Sequence, residues 1–140
     1  MPEENEENGM TREQVHSSAL SRPSGHFSQA ITVEARGRLV FISGMTARGA
    51  DGSVVGVGDI ETQTRQVCDN LTEAMRAAGG SLADIVRVDV YVRNIEHFEQ
   101  IHKVRREYFG DPPPASTLLE ITKMVSPDML IEINAIAVIT

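Results

Sequence analysis

Apolar positions in the middle of the chain recur at helical spacing and predict its longest helix. Between residues 60 and 78 they form one stripe, which comprises Ile60, Thr64, Val67, Leu71, Met75 and Ala78. Asp59 precedes this stripe as a typical N-cap, and Gly79-Gly80 follows it as a typical helix end. A second helix is predicted from about 95 to 109, and Pro112-Pro113-Pro114 ends it because proline has no amide hydrogen to donate. One face of this helix carries Phe98, Ile101, His102, Arg105, Tyr108 and Phe109.

Other segments alternate apolar and polar residues and predict strands. Residues 86–93 alternate valine with arginine, aspartate and tyrosine, the pattern of a half-buried strand. Residues 31–33 and 39–42 flank Ala35-Arg36-Gly37, where glycine favours a tight turn, so they are predicted to form a β-hairpin.

The remaining segments complete a single α+β domain with a mixed sheet. Four glycines between residues 47 and 58 predict a loop, with a short strand at 53–55, and later strands are predicted near 116–122 and 129–138. The order ββ(β)αβαββ and a chain of 140 residues, 41% of them hydrophobic, suit one core.

The two ends of the chain differ in character. We expect residues 1–18 to be a disordered acidic tail and residues 19–140 to form the domain. Met10 is an alternative native start.

The predicted topology leaves one face of the sheet without cover. Two helices joined through one strand lie on the same face when their crossovers are right-handed. Residues 39–42 and 130–138 nevertheless carry apolar side chains on both faces. We therefore expect the uncovered face to pack against other copies of the chain, as a homo-oligomer.

Charge and composition narrow the functional classes. Thirteen Lys and Arg against 20 Asp and Glu leave a net charge of −7, which argues against nucleic-acid and anionic-membrane partners. Cys68 is the only cysteine, so no disulfide within the chain is possible and a cytoplasmic location is expected. No Walker pattern and no complete dinucleotide fingerprint is found, and we predict no cofactor.

Two polar residues in apolar surroundings are candidates for chemistry. Glu132 interrupts an apolar strand, where a carboxylate is either paired, at an edge, or used in a reaction. His102 lies on the apolar face of the second helix, as a hydrogen-bonded core residue or a catalyst. No metal is predicted, because the four histidines lack the spacing of ligands.

Several short motifs occur in the order found in a known family. The chain resembles the RidA (YjgF) reactive-intermediate deaminases over roughly residues 16–139. The motifs are Gly25-His26-Phe27-Ser28-Gln29-Ala30, Phe41-Ile42-Ser43-Gly44, residues 58–64, Asn70-Leu71, Tyr108-Phe109, Pro114-Ala115-Ser116-Thr117 and residues 131–137.

The resemblance implies a fold, an assembly and a reaction. The fold would be chorismate-mutase-like, and three copies would form a homotrimeric barrel with a pocket in each cleft between subunits. Family members that act on enamines and imines release ammonia and a 2-oxo acid without a cofactor. In them an arginine grips the substrate carboxylate and a glutamate on the last strand positions or activates the water.

The family's site residues match this chain only in part. Glu132 matches the water-handling glutamate, and Ser43-Gly44 matches the backbone turn of the pocket. Four positions differ: Ser116 stands where the family has the arginine, His102 replaces an asparagine, Phe27 replaces a tyrosine and Leu118 replaces a cysteine.

Arg105, one turn beyond His102, is a possible replacement cation for the missing arginine. The alternative, which the sequence favours, is that its side chain extends to solvent or to an interface partner.

The leading functional hypothesis is a deaminase or hydrolase of small imine-type metabolites other than 2-iminobutanoate. Glu132 and His102 would be catalytic, and Ser116, Phe27, Ser43, Gly44, Leu118 and Arg105 would bind substrate. The alternative is a ligand-binding or stress-related protein without chemistry, which the missing arginine favours. An endoribonuclease role fits poorly with the acidic charge.

Overall fold

The computed structural model describes residues 12–34 and 36–140. Its six strands are β1 (Arg12–Val15), β2 (Ala30–Val33), β3 (Arg38–Met45), β4 (Ile85–Val92), β5 (Ala115–Glu120) and β6 (Ile131–Ile139). Its α-helices are α1 (Ile60–Ala78) and α2 (Phe98–Tyr108), and short 3-10 turns span Leu82–Asp84 and Ile95–His97.

The main sheet has the strand order β3-β6-β4-β5 and is covered by both helices on one face. Strand β6 is antiparallel to β3 and β4, and β4 is parallel to β5, so the sheet is mixed as predicted. The core lies between this sheet and the helices, and its fully buried members include Val67, Leu71, Val88, Ile101, Ile131 and Ile133. The α+β fold class with two helices on one face is confirmed.

Helix α1 begins and ends where its sequence predicts. The Asp59 carboxylate accepts a hydrogen bond from the Thr62 amide at 3.2 Å, and Gly79 adopts a φ of +95° at the other end. That left-handed conformation disfavours side chains, which explains the glycine.

Two local predictions are wrong. Strand β2 pairs with β1 in a separate two-stranded sheet and β3 pairs with β6, so residues 31–33 and 39–42 form no hairpin. Ala35, in the predicted turn, lies outside the described residues. The segment 53–55 contributes only an isolated bridge between Arg48 and Val54.

Residues 12–15 are more ordered than their composition predicts. Residues 12–15, assigned to a disordered tail, form β1, while residues 1–11 lie outside the described residues. The Arg12 side chain donates to the carbonyl of Pro112 at 3.0 Å and also to that of Ala83, which ties β1 to the main domain.

The second face of the main sheet carries large apolar side chains that solvent reaches. Leu39 is 64% exposed, Phe41 72% and Leu119 52%. On the opposite face Ile131, Ile133, Ala135 and Ala137 are buried beneath the helices. The expectation of apolar side chains on both faces of the sheet is therefore confirmed. We call the uncovered side the open face.

Candidate functional site

The predicted site residues form two groups on opposite faces of the main sheet. Cross-strand partners share a face, and Ser116 and Leu118 are paired with the buried Val88 and Val90 on the helix side. Glu132 is paired with Tyr91, one position out of phase with those valines, and so lies on the open face. The two groups therefore cannot meet within one copy of the chain.

The helix-side group lines a pocket of about 240 Å³ between α2 and β5. Its lining consists of Ser24, Phe27, Ile95, Phe98, His102, Arg105, Ser116 and Leu118, and we call it the helix-side pocket. Five of these residues were predicted from the sequence. Ser24, Ile95 and Phe98 were missed, although Phe98 was placed on the correct helix face.

The loop before β2 closes one side of the helix-side pocket. Ser28 bridges to Ala115 at the start of β5, where its amide donates to the Pro114 carbonyl at 3.2 Å and its hydroxyl to that of Pro113 at 2.5 Å. His26 Nε2 lies 3.0 Å from the carbonyl oxygen of Phe109. These bonds hold Phe27 against the pocket.

Arg105 is buried in the helix-side pocket, with 1% of its surface exposed. Its Nη2 donates to the hydroxyl of Ser116 at 3.0 Å, and its Nε has no partner within the described residues. Burial lowers the pKa of Arg105 to about 10, which leaves the guanidinium charged at neutral pH. The favoured prediction that its side chain extends to solvent or an interface is wrong, because packing of α2 on β5 turns it inward.

His102 is a neutral imidazole beside this cation. It is 2% exposed, and its Nδ1 lies 3.1 Å from the Phe98 carbonyl oxygen while its ring stacks on that of Phe98 at 4.0 Å. Burial, followed by the charge of Arg105, lowers the pKa of His102 to about 4. Because a carbonyl can only accept, Nδ1 carries the hydrogen and Nε2 is left as an acceptor.

Gly25 covers the second ring nitrogen of His102. A Cβ at residue 25 would lie 2.0 Å from Nε2, and this buried atom has no hydrogen-bond partner within the described residues. Glycine is thus required for the close approach of this loop to the imidazole. The motif that begins at Gly25 was the only sequence signal for it.

Glu132, Ser43 and Gly44 form the second group, on the open face. The pairing of β3 with β6 shifts between Ile42 and Met45, which leaves Ser43 and Gly44 exposed at the irregularity. A Cβ at Gly44 would lie 2.6 Å from Glu132 Oε2, so the carboxylate rests where only glycine leaves room. Within the described residues no hydrogen bond or ion pair engages this carboxylate.

Burial raises the pKa of the Cys68 thiol to about 12, which disfavours a thiolate nucleophile. No group of three metal-ligating side chains is present among the residues described. None of the helices in the described ranges is long and apolar enough to cross a bilayer. A wider, open cavity of about 720 Å³ near residues 16–23 contains none of the predicted site residues.

Known proteins resemble this chain over nearly its whole length. Residues 17–139 match the model of the family described as Endoribonuclease L-PSP. The crystal structure of YyfB from Yersinia pestis, of the conserved Rid protein family, is 34% identical with a TM-score of 0.84, covering 93% of this chain and 100% of YyfB.

The curated relatives include two deaminases. The 3-aminoacrylate deaminase RutC of Acinetobacter baylyi is 34% identical over 71% of this chain and 78% of its own. The 2-iminobutanoate/2-iminopropanoate deaminase of Dermatophagoides farinae is 28% identical over 93% of this chain and 99% of its own.

Proposed function

The chain belongs to the Endoribonuclease L-PSP (YjgF/RidA) family, and from this membership we propose that it is a cytoplasmic, cofactor-independent deaminase of small imines or enamines. Deaminases of such compounds occur among its relatives. The substrate of this chain is proposed to differ from 2-iminobutanoate, because Ser116 stands at the position where the resemblance places an arginine.

The observation that carries the proposal is the unpaired carboxylate of Glu132 against Gly44. A half-buried carboxylate free of ion pairs within the described residues is available to take a proton from water. Water adds to the C=N carbon while Glu132 accepts one of its protons and passes it to the nitrogen. As the C–N bond of the carbinolamine breaks, Glu132 carries the hydroxyl proton to the departing nitrogen. One imine and one water thus give one carbonyl compound and one ammonia.

The remaining residues are proposed to hold the substrate during this reaction. The Gly44 backbone binds the developing oxygen centre, and the Ser116 hydroxyl hydrogen-bonds a polar atom of the substrate. Since Nδ1 of His102 donates to Phe98 and Nε2 lies beneath Gly25, we assign His102 to the wall of the pocket rather than to proton transfer.

A complete site requires more than one copy of the chain. Glu132 and the helix-side pocket lie on opposite faces of one sheet, so a neighbouring copy must bring its Glu132 to the pocket. The exposed Leu39, Phe41 and Leu119 provide an apolar surface for that contact. We propose a homotrimer, for which sedimentation velocity should return three times the chain mass of 15.3 kDa.

Glu132→Gln tests the reaction directly. Imines are generated in situ from amino acids by an L-amino-acid oxidase, and their hydrolysis is followed as loss of the semicarbazide-trapped species. Glutamine keeps the shape but cannot accept a proton, so kcat/KM should fall by about a hundredfold or more. Glu99→Gln, at an exposed position of α2, is the matched control. Unchanged turnover of every accepted imine in Glu132→Gln would refute the mechanism.

Ligand binding without turnover is the second candidate function. It is favoured by Ser116, whose neutral hydroxyl replaces the charged group that the resemblance assigns to the site. A metabolite screen separates the two, since tight binding of imine analogues together with no ammonia release from any imine would support the binding protein.

A further inference from the structure

The helix-side pocket contains a buried cation that no anion in the described part of the chain neutralises. Arg105 is 1% exposed, and none of the ion pairs among the described residues includes it. An isolated charge in such surroundings is costly unless a partner of opposite charge completes it. Within one copy of the chain the position therefore calls for an anion from outside it. The Glu132 that a neighbouring copy is proposed to bring to the pocket is assigned to the reaction as the proton acceptor, which leaves Arg105 for a ligand.

The guanidinium also has unused hydrogen-bond donors. Arginine carries five N–H groups in a planar fork, and one of them is used by the Ser116 hydroxyl at 3.0 Å. The buried Nε–H has no partner within the described residues. A carboxylate fits this arrangement because its two oxygens accept two parallel N–H groups of one arginine.

The neighbours of Arg105 leave this role to a ligand. Cys68 is close enough to interact electrostatically with Arg105, but burial raises the pKa of that thiol to about 12, so no thiolate balances the charge. His102 is neutral at pH 7 and adds no second cation. Phe27, Phe98 and Leu118 supply apolar walls for a short side chain of the ligand.

Arg105 reaches the space beside Ser116 from helix α2. Ser116 occupies the strand position where the resemblance places the arginine, and its short side chain leaves space that the guanidinium reaches from α2. The hydroxyl accepts one N–H and holds the fork at the wall of the pocket. The cation thus lies next to position 116 of β5, as the resemblance implies, but it is supplied by α2 and not by β5.

We propose that Arg105 is the specificity-determining residue of this site, where it binds the carboxylate of small imino or enamino acids. The assignment of imino and enamino acids as the ligands rests on the proposed function. The binding of a carboxylate by Arg105 does not depend on it. The pocket should accordingly prefer molecules with a free carboxylate to their amides.

Equilibrium binding of a 2-oxo acid tests the proposal. The probes are pyruvate and its neutral amide, titrated calorimetrically into the wild type, Arg105→Gln and the matched control Arg106→Gln, whose arginine is exposed. Loss of a charge-assisted contact should weaken carboxylate binding about ten- to hundredfold in Arg105→Gln. Arg106→Gln should bind as the wild type does, and the affinity for the amide should be equal in all three.

A charge relocation provides the second arm. The double variant Arg105→Ser/Ser116→Arg places the cation on the strand. Its affinity for the carboxylate probe should be at least about tenfold higher than that of Arg105→Gln. Arg105→Lys keeps the charge without the planar fork and should bind with intermediate affinity. Circular dichroism verifies that each variant is folded. If Arg105→Gln does not fold, the double variant and Arg105→Lys still test the proposal.

The outcomes separate this proposal from the proposed function. The role of Arg105 is overturned if Arg105→Gln binds the carboxylate as tightly as the wild type does. It is also overturned if the wild type binds no carboxylate. Neither outcome depends on whether the protein hydrolyses imines. Loss of binding in Arg105→Gln in a protein that hydrolyses no imine upholds the anion site while the deaminase assignment fails.

Discussion

Replacing His102 with asparagine should reduce the sensitivity of the folded state to acid. In the folded chain burial lowers the pKa of His102 from 6.5 to about 4, whereas the unfolded chain titrates near the ordinary value. Between these pH values the unfolded chain binds a proton that the folded chain does not. The free energy of unfolding therefore rises with pH in this window, and it falls as the pH is lowered from 6.5 towards 4.

The magnitude follows from the size of the shift. A change from 6.5 to about 4 corresponds to at most about 3 kcal/mol. Because the interval from pH 7.5 to pH 4.5 stops above the pKa of the folded state, only part of this is realised, and we expect about 2 kcal/mol. Asparagine does not titrate in this range. Between pH 7.5 and pH 4.5 the free energy of unfolding of His102→Asn should therefore fall by about 2 kcal/mol less than that of the wild type.

Urea denaturation at both pH values, at fixed protein concentration, measures this difference. His16→Asn removes an exposed imidazole and is the matched control, expected to retain the acid sensitivity of the wild type. Equal losses of stability in the wild type and His102→Asn would refute the burial argument.

Two further substitutions probe the open-face group and the support of the loop before β6. In Gly44→Ala the new methyl group meets only side-chain atoms of Glu132, which turn aside by rotation, so the free energy of unfolding should change by less than about 1 kcal/mol. Displacement of the carboxylate should nevertheless lower kcat/KM at least about tenfold. Gly110→Ala, where a Cβ meets nothing within 4 Å, is its control, and full activity in Gly44→Ala would contradict the proposed position of Glu132. Gln63→Leu should lower the free energy of unfolding, measured by urea denaturation, by about 3 kcal/mol. The buried Gln63 amide donates to the carbonyls of Gly56 at 3.1 Å and Asp128 at 2.8 Å, and it accepts from the Leu130 amide at 2.9 Å. Gln66→Leu, which removes only a bond to the Asn70 side chain, should cost less than about 1 kcal/mol, and equal losses in the two glutamine variants would show that these backbone contacts contribute little.

Local physical chemistry made α1 predictable from the sequence. Its apolar stripe, the Asp59 cap and the φ of +95° at Gly79 all depend on residues within a few positions of one another. The identity of Glu132 as a site candidate came in the same way, from one carboxylate in an apolar strand.

Pairing of distant segments was not predictable in this way. Strand β2 pairs with β1 rather than β3, because pairing depends on contacts across the fold and not on the turn residues between two strands. The separation of Glu132 from Ser116 likewise needed the register of β4 against both β5 and β6, since alternation within one strand does not relate its faces to those of another.

The sequence by itself thus determined the α+β class, the long helix, the uncovered apolar face and most of the candidate residues. Only the tertiary structure decided that Arg105 is buried beside Ser116 and that Glu132 lies on the other side of the sheet. The physical reason is that helix periodicity and capping are short-range effects. The direction of a long charged side chain, and the cost of removing it from water, depend on what packs around it.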